Sequence, residues 1–245
     1  MSENGKSDTE SAQKFYDKVM ADKDHYQVIS QRHGWAGNFH RYRIKLLRKI
    51  FVNELGIKKN TGILDIGCGT CIFSEIFSEE ECPKITGFDI STINVNKAKK
   101  NNPHIQFTVD NAQNPKIKGQ WDVLFAGEII EHLPQPQEAL EKWSELIKSN
   151  GYLVLSTPNG LFNKKTDEHI SLFRLKEMKN LLENDYQIIK IIGIDLYIPL
   201  FNLIINHLLM NRFPKFSDFL FQYKMKLAYK LPNLANNIIY IAKKN

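Results

Sequence analysis

From Gly62 onward the chain alternates between short apolar runs and segments of helical periodicity, and this alternation narrows the fold more than any other feature. Gly62–Ile66 (GILDI), Lys84–Asp89 (KITGFD), Ile105–Val109 (IQFTV), Trp121–Ala126 (WDVLFA) and Tyr152–Ser156 (YLVLS) read as strands. They are rich in β-branched and aromatic residues and show little polar alternation, which predicts strands covered on both faces. Helices are predicted between them, at Thr70–Glu80, from a Ser91/Thr92 cap to Asn101, and at Gln137–Lys148, where Ala139, Leu140, Trp143 and Ile147 share a face. Asn150-Gly151 ends the last of these. A helix over Leu172–Asn184 capped by Ser171, a strand over Tyr186–Ile194 and a closing strand over Ile238–Ala242 complete the pattern. Strand–helix repetition of this kind implies an α/β fold, a doubly wound parallel sheet with helices on both faces.

Upstream, two further helical patterns occur, Ala12–Ala21 and Phe39–Leu55, the second stopped by Gly56. The expected organisation is therefore a tail with a helical segment over residues 1–56, then one domain over 57–245 carrying an aromatic and lysine-rich insertion at 195–235. The composition is ordinarily globular, 42% hydrophobic over 245 residues, which excludes a disordered, collagen-like or coiled-coil chain. With 33 Lys+Arg against 27 Asp+Glu the net charge is +6, but the bases are scattered, and nucleic acid is not expected as a partner. The polar, acid-containing N-terminus is neither a secretory signal nor a transit peptide, and no apolar run approaches the roughly 20 residues of a spanning helix. Together with an odd number of cysteines (Cys68, Cys71, Cys82), this gives the expectation of a soluble, cytoplasmic protein. Cys68 and Cys71 have redox or metal spacing, but they lie within a glycine-rich turn and no second pair exists.

That turn, Asp65-Ile66-Gly67-Cys68-Gly69, sits where the first strand meets the first helix. Gly67 and Gly69 permit positive φ and let a ligand approach the backbone. The following helix start would offer N–H groups to a polar ligand. Asp89 ends the second strand, where a carboxylate can accept the two hydroxyls of a ribose. A dinucleotide site shares these features, but its third glycine would fall at position 72, which is Ile72. Asp65 also suits a cationic group better than a pyrophosphate.

LDIGCGT resembles the first motif of class I S-adenosylmethionine-dependent methyltransferases, and the resemblance runs through most of Gly62–Gly193. It implies a seven-stranded Rossmann-like sheet of order 3-2-1-4-5-7-6 with the seventh strand, here Ile238–Ala242, antiparallel. It also implies that Gly67 and Gly69 approach the cofactor and that Asp65 helps hold its amino-acid end. Asp89 would take the ribose, Ile90 would pack on adenine, and Asp110 with Asn111 would read the adenine edge. Gly127, at the end of WDVLFAGE, would lie beside the methionine moiety. In such families an N-terminal helix commonly lids the cleft, which would bring Arg41 or Arg43 to a carboxylate of cofactor or substrate.

Glu128-Ile-Ile-Glu131-His132 follows the fourth strand, and His169 follows the fifth. If the first segment is helical, Glu128, Glu131 and His132 share a face. Two carboxylates and imidazoles converging on one point repel or bind a cation, so Glu128, Glu131, His132 and His169 are candidate ligands for Mg2+, Mn2+ or Zn2+. The competing reading is solvated carboxylates with His132 capping a turn. EIIEHL resembles both the ubiquinone-pathway O-methyltransferases and the small-RNA 2′-O-methyltransferases, which implies catalytic roles for Glu131, His132 and His169. The expected function is methyl transfer to an oxygen of a small-molecule acceptor, whether glycan, lipid-linked precursor or quinone-like compound. RNA methylation or a non-catalytic binding role is the alternative. The insertion at 195–235 is expected to cover the substrate, with peripheral membrane contact or a homodimer face as the other readings.

Overall fold

The computed structural model describes residues 10–18, 35–199 and 214–245. Residues 10–18 form helix α1. Trp35–Arg48 forms α2 and passes into a π-helical turn, Lys49–Glu54. The alternation follows as β1 (Gly62–Ile66), α3 (Phe73–Ile76), β2 (Lys84–Asp89), α4 (Thr92–Asn101), β3 (Gln106–Val109), β4 (Trp121–Gly127), α5 (Pro136–Glu145), β5 (Ile147–Pro158), α6 (Leu175–Leu182) and β6 (Tyr186–Leu196). The chain then runs through α7 (Pro214–Lys230) into β7 (Ala235–Lys244). All seven strands form one sheet, in the order β3-β2-β1-β4-β5-β7-β6. Neighbours among β1 to β5 pair in parallel, and β7 is antiparallel to both β5 and β6. The expected topology is thus the observed one. Residues 200–213 of the expected insertion, and the end of the predicted Ala12–Ala21 helix, lie outside the described residues.

Period-two alternation within each strand divides the core into two layers. Ile63, Val123, Phe125, Val154, Ile239 and Ile241 face one side, where they meet Leu47, Ile50 and Phe51 of α2 and its π-turn. Leu64, Ile66, Leu124, Leu153, Leu155 and Ile238 face the other, against Leu140 and Trp143 of α5 and Met178 and Leu182 of α6. Both faces are apolar because both are covered, which is why the strands read as unbroken apolar runs.

Several predicted helices shorten. The predicted Thr70–Glu80 helix is only α3, Phe73–Ile76, because Cys71 adopts a left-handed φ of 73° before it and Phe77 is already extended after it. No side chain caps its first turn. The Leu172–Asn184 helix begins at Leu175, where the Glu177 carboxylate accepts the Arg174 N–H (2.7 Å). Ser171 is not its cap: the Ser171 hydroxyl donates to Leu133 O (3.0 Å). The Gln137–Lys148 helix ends at Glu145, and Ile147 already pairs with Trp121 in the sheet.

The described end of the insertion packs on the sheet. Phe221 and Met225 of α7 join the α2-side core, leaving Phe216, Phe219 and Tyr223 exposed on the outer face. Lys224 Nζ meets Asp195 Oδ1 at 2.6 Å, with both side chains almost fully buried, and Asn236 Nδ2 donates to the other carboxylate oxygen (2.7 Å). Among the described residues no helix is long and apolar enough to cross a membrane. Gly193 of β6 makes the close approach of α7 feasible: a Cβ there would lie 2.3 Å from Ala228 O and 2.7 Å from Pro232 Cα. These are backbone atoms that cannot swing away. Gly193→Ala is expected to cost about 1–3 kcal/mol through overpacking, seen as a lower urea midpoint with little change in slope.

Candidate active site

The site forms where β1, β2, β4 and β5 end, at the carboxyl edge of the sheet. After β1 the chain turns through Gly67 and Gly69 at φ 66° and 54°. A Cβ on Gly67 would meet the Ile129 side chain at 2.7 Å. The turn is fastened to β2: Cys68 N–H donates to Phe88 O and Gly69 N–H to Asp89 Oδ2, both at 2.9 Å. Asp89 Oδ1 accepts from Ser91 N–H (2.8 Å), so the predicted ribose acid is also the clasp between turn and strand. Burial raises the Asp89 carboxyl pKa and these hydrogen bonds oppose the rise. Ile90 beside it is half-buried.

Asp65 is buried behind this clasp, and its Oδ2 has no hydrogen-bond partner. Burial, and secondarily the charge of Asp89, push its carboxyl up to about 8, while the Arg43 guanidinium pulls the other way. The same burial raises the thiols of Cys68 and Cys71, the second to about 12, so the CxxC pair is packing at this turn and not a thiolate centre. Asp110 is committed locally: its Oδ1 accepts from Asn111 N–H (2.8 Å), and its Oδ2 from Lys116 (2.8 Å) and Ile117 (2.9 Å) N–H. Asn111 Oδ1 accepts from Gln113 N–H (2.9 Å). Together the two side chains hold the loop after β3. Gly127 closes β4 under the Phe125 ring, where a Cβ would fall 2.6 Å from Phe125 Cζ.

The segment after Gly127 is not a regular helix. Glu128 adopts a left-handed φ of 57°, and only Ile130–His132 form a 3-10 turn. Glu128 therefore leaves the face that Glu131 and His132 share, while its charge still reaches Glu131 and His169. Its carboxylate accepts from Ser156 Oγ (2.9 Å) and lines a small cavity with Arg43, Phe39, Leu47 and Asn237. Glu131, His132 and His169 do converge, with one ligand-type atom from each within 4.8 Å of the others. Their approach is built by a ladder between the turn after β4 and the loop after β5. His132 Nδ1 lies 2.6 Å from Glu168 O, Ser171 N–H donates to Glu131 O (2.9 Å), and Ser171 Oγ donates to Leu133 O. A carbonyl can only accept, so His132 Nδ1 carries a proton and its lone pair sits on Nε2. The His132 and His169 rings lie 5.0 Å apart. Glu131 is fully buried; its Oε2 takes Thr157 Oγ1 (3.3 Å) and its Oε1 has no partner. Burial and the neighbouring Glu128 carboxylate hold its pKa well above the ordinary value.

Sequence reasoning named Arg43 among the basic residues of the N-terminal segment; it lines the small cavity with Glu128, and its charge reaches Asp65 and Glu131 as well. Arg41 instead bonds Asn38. Sequence reasoning counted Tyr16 only among the aromatics of the N-terminal segment and passed over Asp17. Tyr16 of α1 meets His132 edge-on (5.8 Å), and Asp17 accepts from Ser91 Oγ (2.6 Å). Only contacts between segments distant in sequence reveal them.

Residues 39–189 match a family model described as a methyltransferase domain. The chain is 30% identical over 132 residues to a ubiquinone biosynthesis O-methyltransferase of Pelagibacter ubique, covering 50% of this chain and 55% of that protein. An Escherichia coli O157:H7 protein of the same name is 31% identical over 125 residues, 48% of this chain and 52% of its own length. The chain thus spans about half the length of the curated relatives it matches. The fold is similar to that of the N-methyltransferase NodS of Bradyrhizobium japonicum, solved with S-adenosyl-L-homocysteine (TM-score 0.63, 12% identity, covering 95% of this chain and 97% of that one).

Asp65 supplies a test of the electrostatics. Its folded pKa exceeds the unfolded value, so the folded state binds more protons and stability falls as pH rises from about 4 towards about 8. Asp65→Asn is expected to remove that loss. Urea titrations between pH 4 and 8 should show the variant gaining on the ligand-free wild type by up to about 1.4 kcal/mol per pH unit.

Proposed function

Because the chain belongs to the methyltransferase domain family, we propose that its carboxyl edge binds S-adenosylmethionine and directs methyl transfer to an oxygen of a small, quinone-like acceptor. The relatives named for ubiquinone biosynthesis support that acceptor class. The observation that carries the oxygen acceptor is the convergence of Glu131, His132 and His169 beside the end of β4.

The residues fit the donor. The partnerless Oδ2 of Asp65 suits an ammonium, the turn carries left-handed φ at Gly67 and Gly69, and Asp89 at the end of β2 suits ribose hydroxyls. Arg43 is the group for the donor's carboxylate. When bound, the donor supplies an electrophilic methyl on a positively charged sulfur. Asp110 and Asn111 act on this end by shaping the loop after β3 and not through uncommitted carboxylate oxygens.

A divalent cation fits the acceptor end. Glu131 and the two histidines would hold it, with Thr157 and the Glu168 carbonyl orienting the first two. Such an ion, when bound, lowers the pKa of an acceptor hydroxyl. Glu128, clasped by Ser156 and facing Arg43, tunes the pair from behind. Where no cation is held there, His132 Nε2 or His169 is instead the group that would take the acceptor proton.

Two measurements check this. Calorimetry should detect S-adenosylmethionine binding by the wild type, with Asp89→Ala weakening it at least about tenfold through loss of both ribose contact and turn clasp. With 3,4-dihydroxybenzoate as acceptor, S-adenosylhomocysteine formation should stop on chelation, return with Mg2+ or Mn2+, and fall about 10–100-fold in Glu131→Ala. Full activity in chelator together with a neutral Glu131→Ala would refute the metal role.

A further inference from the structure

Helix α1 reaches across the carboxyl edge and touches both ends of the candidate site. At one end Gln13 Nε2 donates to Thr92 Oγ1 (2.8 Å), and Asp17 Oδ1 accepts from Ser91 Oγ (2.6 Å) and Ile93 N–H (3.2 Å). Gln13 and Asp17 are one helical turn apart, so they grip the start of α4 from a single face, immediately after Asp89. At the other end Tyr16 meets the His132 ring edge-on at 5.8 Å, while Phe15 packs on Tyr16 from outside (5.2 Å). Burial, then the carboxylates of Glu168, Glu131 and Asp89, push the Tyr16 phenol up to about 12. Tyr16 touches His132 while the next residue, Asp17, bonds Ser91 and Ile93 just after Asp89, so the ring lies over the interval between Asp89 and the Glu131–His132–His169 cluster.

A donor whose ribose is held by Asp89 and whose methyl is aimed at an acceptor on that cluster must carry its sulfonium across this interval. We propose that Tyr16 is a specificity-determining residue of the donor site, its aromatic ring forming the wall that meets the cationic sulfonium. An aromatic face attracts a desolvated cation and has no such attraction for a neutral thioether. Transfer of the methyl removes the positive charge, so the same wall holds substrate and loosens its grip on product. The inference rests on the cofactor reading above, and its test separates the two.

Calorimetry on the full chain would compare sinefungin, which carries a cationic amine where the sulfonium methyl stands, with S-adenosylhomocysteine, which is neutral there. Tyr16→Leu should weaken sinefungin about tenfold and S-adenosylhomocysteine less than about twofold, while Tyr16→Phe keeps the wild-type ratio because the ring is retained. The double variant Gln13→Ala/Asp17→Ala, which loosens the helix and leaves the ring, should weaken both ligands together. Wild-type binding with a ratio unchanged in Tyr16→Leu, or changed equally by the double variant, overturns the role of Tyr16 alone and leaves a helix that merely covers the cleft. No heat from either ligand with folded wild type overturns the cofactor reading, and the Tyr16 assignment with it.

Discussion

Carboxylates buried without enough positive charge around them govern this structure. Asp65, Asp89 and Glu131 are each less than a tenth exposed, and Glu128 lies close enough to Glu131 for its charge to act there. Taking a carboxylate out of water costs several kcal/mol unless a partner offsets it, so such groups take up protons or recruit cations. Arg43 opposes the rise at Asp65, Glu128 and Glu131 at once, yet burial still dominates at all three. The ligand-free chain therefore carries an electrostatic deficit that cationic ligands relieve, and whatever relieves it adds to stability by mass action. The deficit has two separate positions. One is Asp65, beneath the glycine turn; the other is Glu131, at the histidines.

How this deficit is held together was only partly visible in the sequence. The strands were legible because each is covered on both faces and so reads as an apolar run; β1 and β2 fall on their predicted bounds. Ser91 was legible as a cap because it acts locally, on Asn94 three residues on. Glu128 was not, since nothing in EIIEHL announces a left-handed residue. That one dihedral converts an expected helical face into two sites, Glu128 towards Arg43 and Glu131 towards the histidines.

Ser171 shows the same limit from another side. Read locally it is a helix cap, but its hydroxyl and N–H are spent on Leu133 and Glu131, and without that ladder His169 would not stand beside His132. Asp110 likewise reads as a ligand-facing acid, and its oxygens serve backbone N–H groups of its own loop. Tyr16 read only as one of several N-terminal aromatics and Asp17 gave no signal, because their partners lie in segments more than 70 residues away. Ser91 could be read because its bond closes one helical turn; side chains that join distant segments could not.

The position of β7 has a consequence for how the domain is made. It lies between β5 and β6, so β6 enters the sheet only through β7. During vectorial synthesis the first five strands can zip together in parallel as they emerge, whereas β6 joins the sheet only once β7 has followed it out of the ribosome. Until β7 arrives, the β5 edge stands unpaired and β6 lies outside the sheet, so shielding that interval falls to whatever meets the polypeptide at the tunnel exit.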